Sequence, residues 1–423
     1  MENINTQLQA PYEKMSKTRW FYVVLPLLLL FVVSTMDKAN INILLANKSF
    51  LEDLSINGNL VKGTLSSIFL VTYAIGQFGW GFAIDRIGPL RAGIAGILLW
   101  TLAMFLGGIS ESISGIFWSR AILGIGEGVL YPIALKLTSR WFPANEQAKA
   151  QTAWFNGNAI GPVVGLPLIA IITASYGWRE SYYVLAGCSL VTLVIFWVMV
   201  RDYPSKHFAT NTKELDYIEN NKKEEAAGAS KKSIISVLKN PMFWVLTIIY
   251  SCFSIGFFGM TTFLPSYLTE TKGIAFVNSA MINSGGFALA VLIQMISGYL
   301  SDKLMKRAVF VAVTSGVIIL LMVLTMITTS STSAAILTIL LISCLLMPAA
   351  ITMTMLQRVA SSEVMGSIGG VFGCVSYLIA ALGPIVVGTF SQVTDSYNGG
   401  FIAIIFFFIL SLILSFGLMR KGY

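Results

Sequence analysis

Histidine occurs once in this 423-residue chain, at His207, and cysteine four times. Cys188, Cys252, Cys344 and Cys374 lie singly inside apolar stretches, with no metal-ligand spacing, so each reads as a small hydrophobe. His207 falls in a polar loop, which leaves no histidine for a metal site or a proton relay inside an apolar segment. Charged residues make up only 11% of the chain, against about a quarter in a soluble domain, so an ordinary soluble fold is excluded. No G-x-x-x-x-G-K-[ST] loop is present, which excludes ATP hydrolysis by that route. No metal, cofactor or enzymatic activity is expected, for want of a ligand cluster or a nucleophile–base pair.

What the sequence has in abundance is long apolar stretches. A helix of about 20 apolar residues crosses the hydrocarbon of a bilayer, and only helices and closed barrels satisfy the backbone there. The alternating ten-residue pattern of barrel strands is missing. The expectation is an all-α integral membrane protein with twelve spans, approximately 20–45, 60–84, 88–109, 112–138, 147–174, 179–200, 241–268, 278–301, 308–329, 333–355, 364–390 and 400–419. The first is no signal peptide: it is too long, carries Asp37 and Lys38, and lacks a small-residue cleavage site.

With both termini inside, 22 of the 28 Lys and Arg residues fall on the cytoplasmic side, as the positive-inside rule expects. The net charge of +8 then reflects topology and anionic lipid headgroups, not a nucleic-acid partner. The implied organisation is a cytoplasmic tail (1–19), a six-helix half (20–200), a polar cytoplasmic linker (201–240) with a surface helix near Glu214–Glu225, a second six-helix half (241–419) and a short cytoplasmic tail (420–423). Compact loops suggest a bacterial plasma-membrane protein, functional as a monomer, and make the sequon Asn47-Lys48-Ser49 a chance occurrence.

The halves repeat one another. GFAIDRIGPLR (Gly81–Arg91) follows the second span and GYLSDKLMKR (Gly298–Arg307) the eighth, their glycines 217 residues apart. Arg140 and Glu146 precede Gly161-Pro162, as Arg358 and Glu363 precede Gly383-Pro384. Parallel repeats of this type place a substrate site between the halves near the bilayer midplane.

Four ionisable charges fall well inside the spans, more than five residues from either end: Asp37, Lys38, Arg120 and Glu127. Each costs several kcal/mol when unpaired in lipid, about 3 on insertion scales. Arg120 and Glu127 lie seven residues apart, which places them on one helix face, about 10 Å along the axis, too far for a tight direct pair unless the side chains stretch toward each other. Asp37 and Lys38 are adjacent and point about 100° apart. A carboxylate in a poorly hydrated cavity takes a proton near neutrality. Protonating Asp37 or Glu127 would release Lys38 or Arg120 to bind an organic anion, and proton and anion would then favour each other.

GFAIDRIGPLR resembles the signature loop of the major facilitator superfamily, and R-x-x-x-G-x-G-E-G from Arg120 resembles a second signature. MDKANI (Met36–Ile41), SRWFPANEQAKA (Ser139–Ala150) and YGWRESYYV (Tyr176–Val184) resemble its anion:cation symporters, carriers of hexonates, hexuronates and other organic anions. The resemblance implies two six-helix pseudo-repeats and proton-coupled import of a sugar acid or similar carboxylate by alternating access. Arg120, Lys38, Tyr73, Asn158 and Tyr377 would bind substrate; Asp37 and Glu127 would couple the proton. Many members carry Arg at Lys38 and an amide near Tyr377, where an aromatic contact would replace a polar sugar contact. Gly81, Asp85, Arg86, Gly88 and Arg91, with Gly298, Asp302 and Lys303, would gate the conformational change, glycines allowing close approach and charges pairing with each other and with helix ends. Alternatives are a proton-driven exporter, suggested by G-x-x-x-G-P at Gly157–Pro162, uptake of an aromatic carboxylate, and a non-transporting sensor.

Overall fold

The computed structural model describes residues 16–226, 234–304, 306–359 and 365–420. Among them the elements are helices, with twelve spans in sequence: α1 (Trp20–Leu44), α2 (Asn59–Ile87), α3 (Pro89–Gly108), α4 (Ile113–Trp141), α5 (Ala144–Phe155 and Gly157–Tyr176), α6 (Trp178–Met199), α7 (Pro241–Thr271), α8 (Phe276–Leu304), α9 (Arg307–Ile327), α10 (Ser331–Leu345 and Met347–Val359), α11 (Met365–Ala380 and Leu382–Val393) and α12 (Tyr397–Arg420). Eleven are long and apolar enough to cross a bilayer, while α10 gains that length only from its two segments together. The chain is a multi-pass helical membrane protein.

Local chemistry sets the helix ends. Ser112, Asn240 and Ser330 accept a backbone N–H from the first turns of α4, α7 and α10. Proline opens α3 and α7, where its missing N–H costs nothing. Gly88 turns α2 into α3 at φ +85°, a conformation side-chain-bearing residues rarely adopt. Asn47, the sequon residue, caps the short helix Lys48–Asp53 through a 2.9 Å bond from the Phe50 N–H.

The repeat is visible in the architecture. Spans α2 and α8 each run 29 residues. Interruptions fall in α4, α5, α10 and α11, the fourth and fifth positions of each half. The glycine–proline motif packs both halves in the same way. A Cβ on Gly161 would come 1.9 Å from Thr35 Oγ1 of α1, and one on Gly383 would come 2.3 Å from the Ile255 carbonyl of α7. Helix packing therefore accounts for the motif that suggested an exporter.

At the end of the bundle where α1 begins, the helix Thr212–Ala226 lies between α6 and α7 in sequence and folds back on the first half. Glu214 is fully buried there and accepts bonds from Ser16 Oγ, the Thr18 N–H and Arg19 Nη1, the last at 2.7 Å; Arg19 also pairs with Glu146 at 2.8 Å. Burial raises the Glu214 pKa, but hydrogen bonds from Ser16, Arg19 and Thr18 outweigh it and hold the carboxyl below its ordinary value. His207 lies in the polar loop after α6, as its neighbours imply. It is buried against Tyr22 and Phe208, each at 4.6 Å, and burial keeps its pKa below the usual histidine value.

The opposite end joins the halves. Lys62 of α2 pairs with Glu270 of α7 at 3.0 Å, and Tyr397 of α12 donates to Glu270 at 2.7 Å. Ser266 Oγ donates to the Leu45 carbonyl, and the Leu60 N–H to Gln392 Oε1.

Candidate functional site

Between the halves lies a cavity of about 220 Å³. At about 30 Å³ per water in the liquid, it has room for a small solute. Its first-half wall includes Lys38 and Asn42 of α1, Phe69 of α2, Arg120 and Tyr131 of α4, and Asn158 of α5. Its second-half wall includes Phe257 and Phe258 of α7, Asn283 and Phe287 of α8, and Tyr377 of α11.

The glycines of α4 explain how charges come to this place. A Cβ on Gly124 would lie 2.1 Å from Thr72 Oγ1, and one on Gly126 would lie 2.7 Å from the Trp100 nitrogen. Without side chains at these positions α4 sinks between α2 and α3, which carries Arg120 to the cavity wall and Glu127 beneath Lys38. The helix breaks just after Glu127, at Gly128.

The charges pair across helices, not along α4. Glu127 Oε2 lies 3.2 Å from Lys38 Nζ and accepts from Ser34 Oγ at 2.5 Å, while Lys38 donates to Ser34 at 2.9 Å. Lys38 also sits 4.7 Å over the Tyr73 ring. Arg120 stacks 4.6 Å over Phe69 and reaches the Asp37 carbonyl at 3.4 Å through Nη1; its Nε is buried without a hydrogen-bond partner. The 100° between adjacent positions sends Lys38 toward the cavity and Asp37 away from it. The Asp37 carboxylate is fully buried and takes the indole N–H of Trp100. One oxygen of Asp37 and one of Glu127 have no hydrogen-bond partner.

Two expected placements are corrected. Asp37 makes no ion pair with Lys38 or Arg120, because its helical phase turns it to α3. Arg120 and Glu127 share a face without a direct pair, as their separation of about 10 Å along the axis implies, and Lys38 holds the carboxylate. Tyr73 is fully buried and lies behind the cavity wall, its ring 5.1 Å from that of Tyr377, which does line the cavity. Asn158 lines the cavity and donates to the Phe155 carbonyl.

The loop cluster is also rearranged. Asp85 pairs with Lys136 of α4 at 2.8 Å, not with Arg86 or Arg91, which are exposed. Gly81 is not at a close approach; a Cβ there would meet nothing within 4 Å. Gly88 instead abuts Asp202, which accepts the Leu90 N–H at 2.8 Å and so caps α3 from beyond α6. Lys303 is exposed, and the side-chain surroundings of Gly298 and Asp302 lie outside the described residues.

Sequence reasoning missed Ser34, Trp100, Lys136 and Asp202. Ser34 was legible, since it precedes Lys38 by four residues and shares its helix face. Trp100 and Asp202 meet their partners only through packing.

Comparison with known proteins agrees with this architecture. Residues 27–384 match the family described as Major Facilitator Superfamily. A probable sulfoacetate transporter, SauU of Cupriavidus necator, is 27% identical over 69% of this chain and 66% of its own length. A probable galactarate/D-glucarate transporter, GudP of Escherichia coli K12, is 24% identical over 94% of this chain and 92% of its own. A bacterial homolog to the human lysosomal transporter Spinster, solved in an inward-facing and occupied conformation, superposes with a TM-score of 0.78 at 17% identity, covering 96% of this chain and 98% of that one. With its twelve helices, repeated halves and a family match over most of its length, the chain belongs to the major facilitator superfamily of transporters and is not an enzyme.

Proposed function

We propose that this protein is a symporter that imports an organic anion together with a proton, by alternating access of the central cavity. The observation that carries the reading is the charge arrangement: two cations, Lys38 and Arg120, line the cavity, and the two buried acids, Asp37 and Glu127, stand behind it. Arg120 is the anion-binding group, with a guanidinium suited to two-point contact with a carboxylate. Glu127 holds Lys38 when ionised. A proton on its unpartnered oxygen frees Lys38 to strengthen anion binding. Because each event favours the other, the proton and anion gradients become linked. Asp37 is the second candidate proton carrier.

Relatives named for transport of galactarate/D-glucarate, D-galactonate, hexuronate and sulfoacetate support an organic anion with a carboxylate or sulfonate head. Clustering of positive residues supports an orientation with the α1 start, the linker and the α12 end in the cytoplasm of a bacterium. In that orientation the Lys62–Glu270–Tyr397 bonds close the external end, and opening to the outside requires them to part. The deciding experiment uses purified protein in liposomes with an inward proton gradient. Accumulation of a carboxylate that collapses with a protonophore is the expected result; uptake indifferent to the gradient overturns symport.

A further inference from the structure

The cavity has two unlike walls, and the second bears on the body of the substrate, not on its charged head. Nine of the cavity's 29 lining residues are aromatic, six of them on the second-half wall, against 12% of the whole chain. Five of the nine, joined through the buried ring of Tyr73, form a continuous path. Phe287 and Phe257 stand 6.1 Å apart at 88°, Phe257 and Phe258 5.0 Å apart at 77°, and Phe258 and Tyr377 5.9 Å apart at 49°. Tyr377 meets Tyr73, and Tyr73 meets Phe69, the ring beneath Arg120. The path therefore runs from α8 to the guanidinium, edge-to-face between Phe287, Phe257 and Phe258 and tilted beyond them.

Four polar residues of the second-half wall are already engaged as donors. Ser254 and Thr261 donate to the carbonyls of Tyr250 and Phe257, Asn283 to that of Ser279, and Gln294 to that of Leu346. Against this wall a polyhydroxylated body would lose its water to rings and committed donors, and each unmatched hydroxyl makes binding less favourable. The head is constrained as well. Lys38 is neutralised by Glu127, so Arg120 is the cavity-lining cation without a carboxylate on it among the described residues.

Resting on the anion-symport reading above, we propose that the substrate is an aromatic monocarboxylate: its carboxylate sits on Arg120 and its ring against Phe257, Phe258 and Tyr377. The test is thermal stabilisation of the purified full chain in detergent by phenylacetate and 3-phenylpropionate, compared with D-gluconate, D-glucuronate and galactarate. A ligand that binds only the folded state raises its melting temperature by an amount that grows with the logarithm of its concentration relative to Kd. Stabilisation by the aromatic acids alone is expected, lost in Arg120→Ala. Phe257→Leu, which keeps an apolar side chain but removes the ring, should weaken it about fivefold, within the range of a lost ring contact. Stabilisation by the sugar acids alone, abolished by Arg120→Ala, overturns the aromatic assignment and leaves anion binding standing. No response to either set overturns both readings, as does a response untouched by Arg120→Ala. Equal aromatic affinity in Phe257→Leu and the unaltered chain overturns the role of the ring path.

Discussion

The two halves of this transporter share one architecture and divide the chemistry of its cavity between them. In the first half, α1 and α4 bring Asp37, Lys38, Arg120 and Glu127 within one buried network. In the second, the spans equivalent by repeat, α7 and α10, contribute Phe253, Phe257, Leu345 and other uncharged residues to the same cavity. Helix order, span length and interruptions are common to both halves, so the fold does not require charge at the centre of the bundle. The charges are confined to one half because they serve recognition and coupling, and the other half serves as the surface against which the substrate body rests. A rigid charged site facing an uncharged wall can part from it without breaking an ion pair at mid-membrane, where such a break is most costly.

The largest test of this contrast is Arg120→Ala. Proton-driven accumulation in liposomes should fall by about 100-fold or more, since truncating one member of a buried charge pair costs 2–5 kcal/mol of binding. A matched truncation on the other wall, Phe258→Ala, should lower apparent affinity about tenfold and keep accumulation proton-dependent. If both variants lose coupling alike, the halves are not specialised.

Glu127→Gln sharpens the division within the first half. It should retain anion exchange across the liposome membrane and lose accumulation against a gradient, because the amide cannot carry the proton. Counterflow and net uptake measured on one preparation separate the two. Persistent accumulation would move the coupling role to Asp37.

The ends of the bundle allow two smaller tests. Glu214→Gln leaves Arg19 with one buried partner fewer and should destabilise the fold by roughly 3 kcal/mol, read from thermal melts near pH 7. The depressed pKa of Glu214 gives the sign of its pH dependence. The stabilisation is fully present above the ordinary carboxylate value of about 4.3 and disappears as pH falls through the lower folded value. The variant should therefore show a flatter melting profile between about pH 5 and pH 3 than the unaltered chain. At the other end, Lys62→Ala removes a half-exposed pair worth about 1 kcal/mol, a shift of roughly fivefold toward separation of that end. Spin labels at Glu52 and Val393 should report a larger population of long distances. An unchanged distribution would mean that the remaining contacts, such as Ser266 to Leu45, suffice to hold the ends together.

Much of this was legible before folding, and the reasons differ by residue. The spans were legible because lipid tolerates few charges and demands a helical backbone, so composition alone marks them. The six-plus-six organisation was legible in the polar stretch 201–240 and in the repeated G-x-x-x-D-[RK]. The cavity cations stood out because Lys38 and Arg120 are costly where they lie. The partners were not legible. Seven residues on one face suggested an Arg120–Glu127 relationship, yet Lys38 takes the glutamate and Trp100 takes Asp37. Asp85 looked like the partner of its neighbouring arginines, yet it reaches Lys136.

By itself, then, the sequence determined which segments span the membrane, that they repeat, and that four charges must be sheltered inside. Those conclusions follow from the one-dimensional balance between apolar surface and the expense of burying charge, which needs no knowledge of neighbours. Only the tertiary structure decided which charge faces the cavity, which carboxylate holds Lys38, and that the opposite wall is aromatic. Those outcomes depend on helix phase and on the depth to which the glycines of α4 let it sink between α2 and α3. Such distances of a few ångströms arise between helices distant in sequence, and no local pattern encodes them.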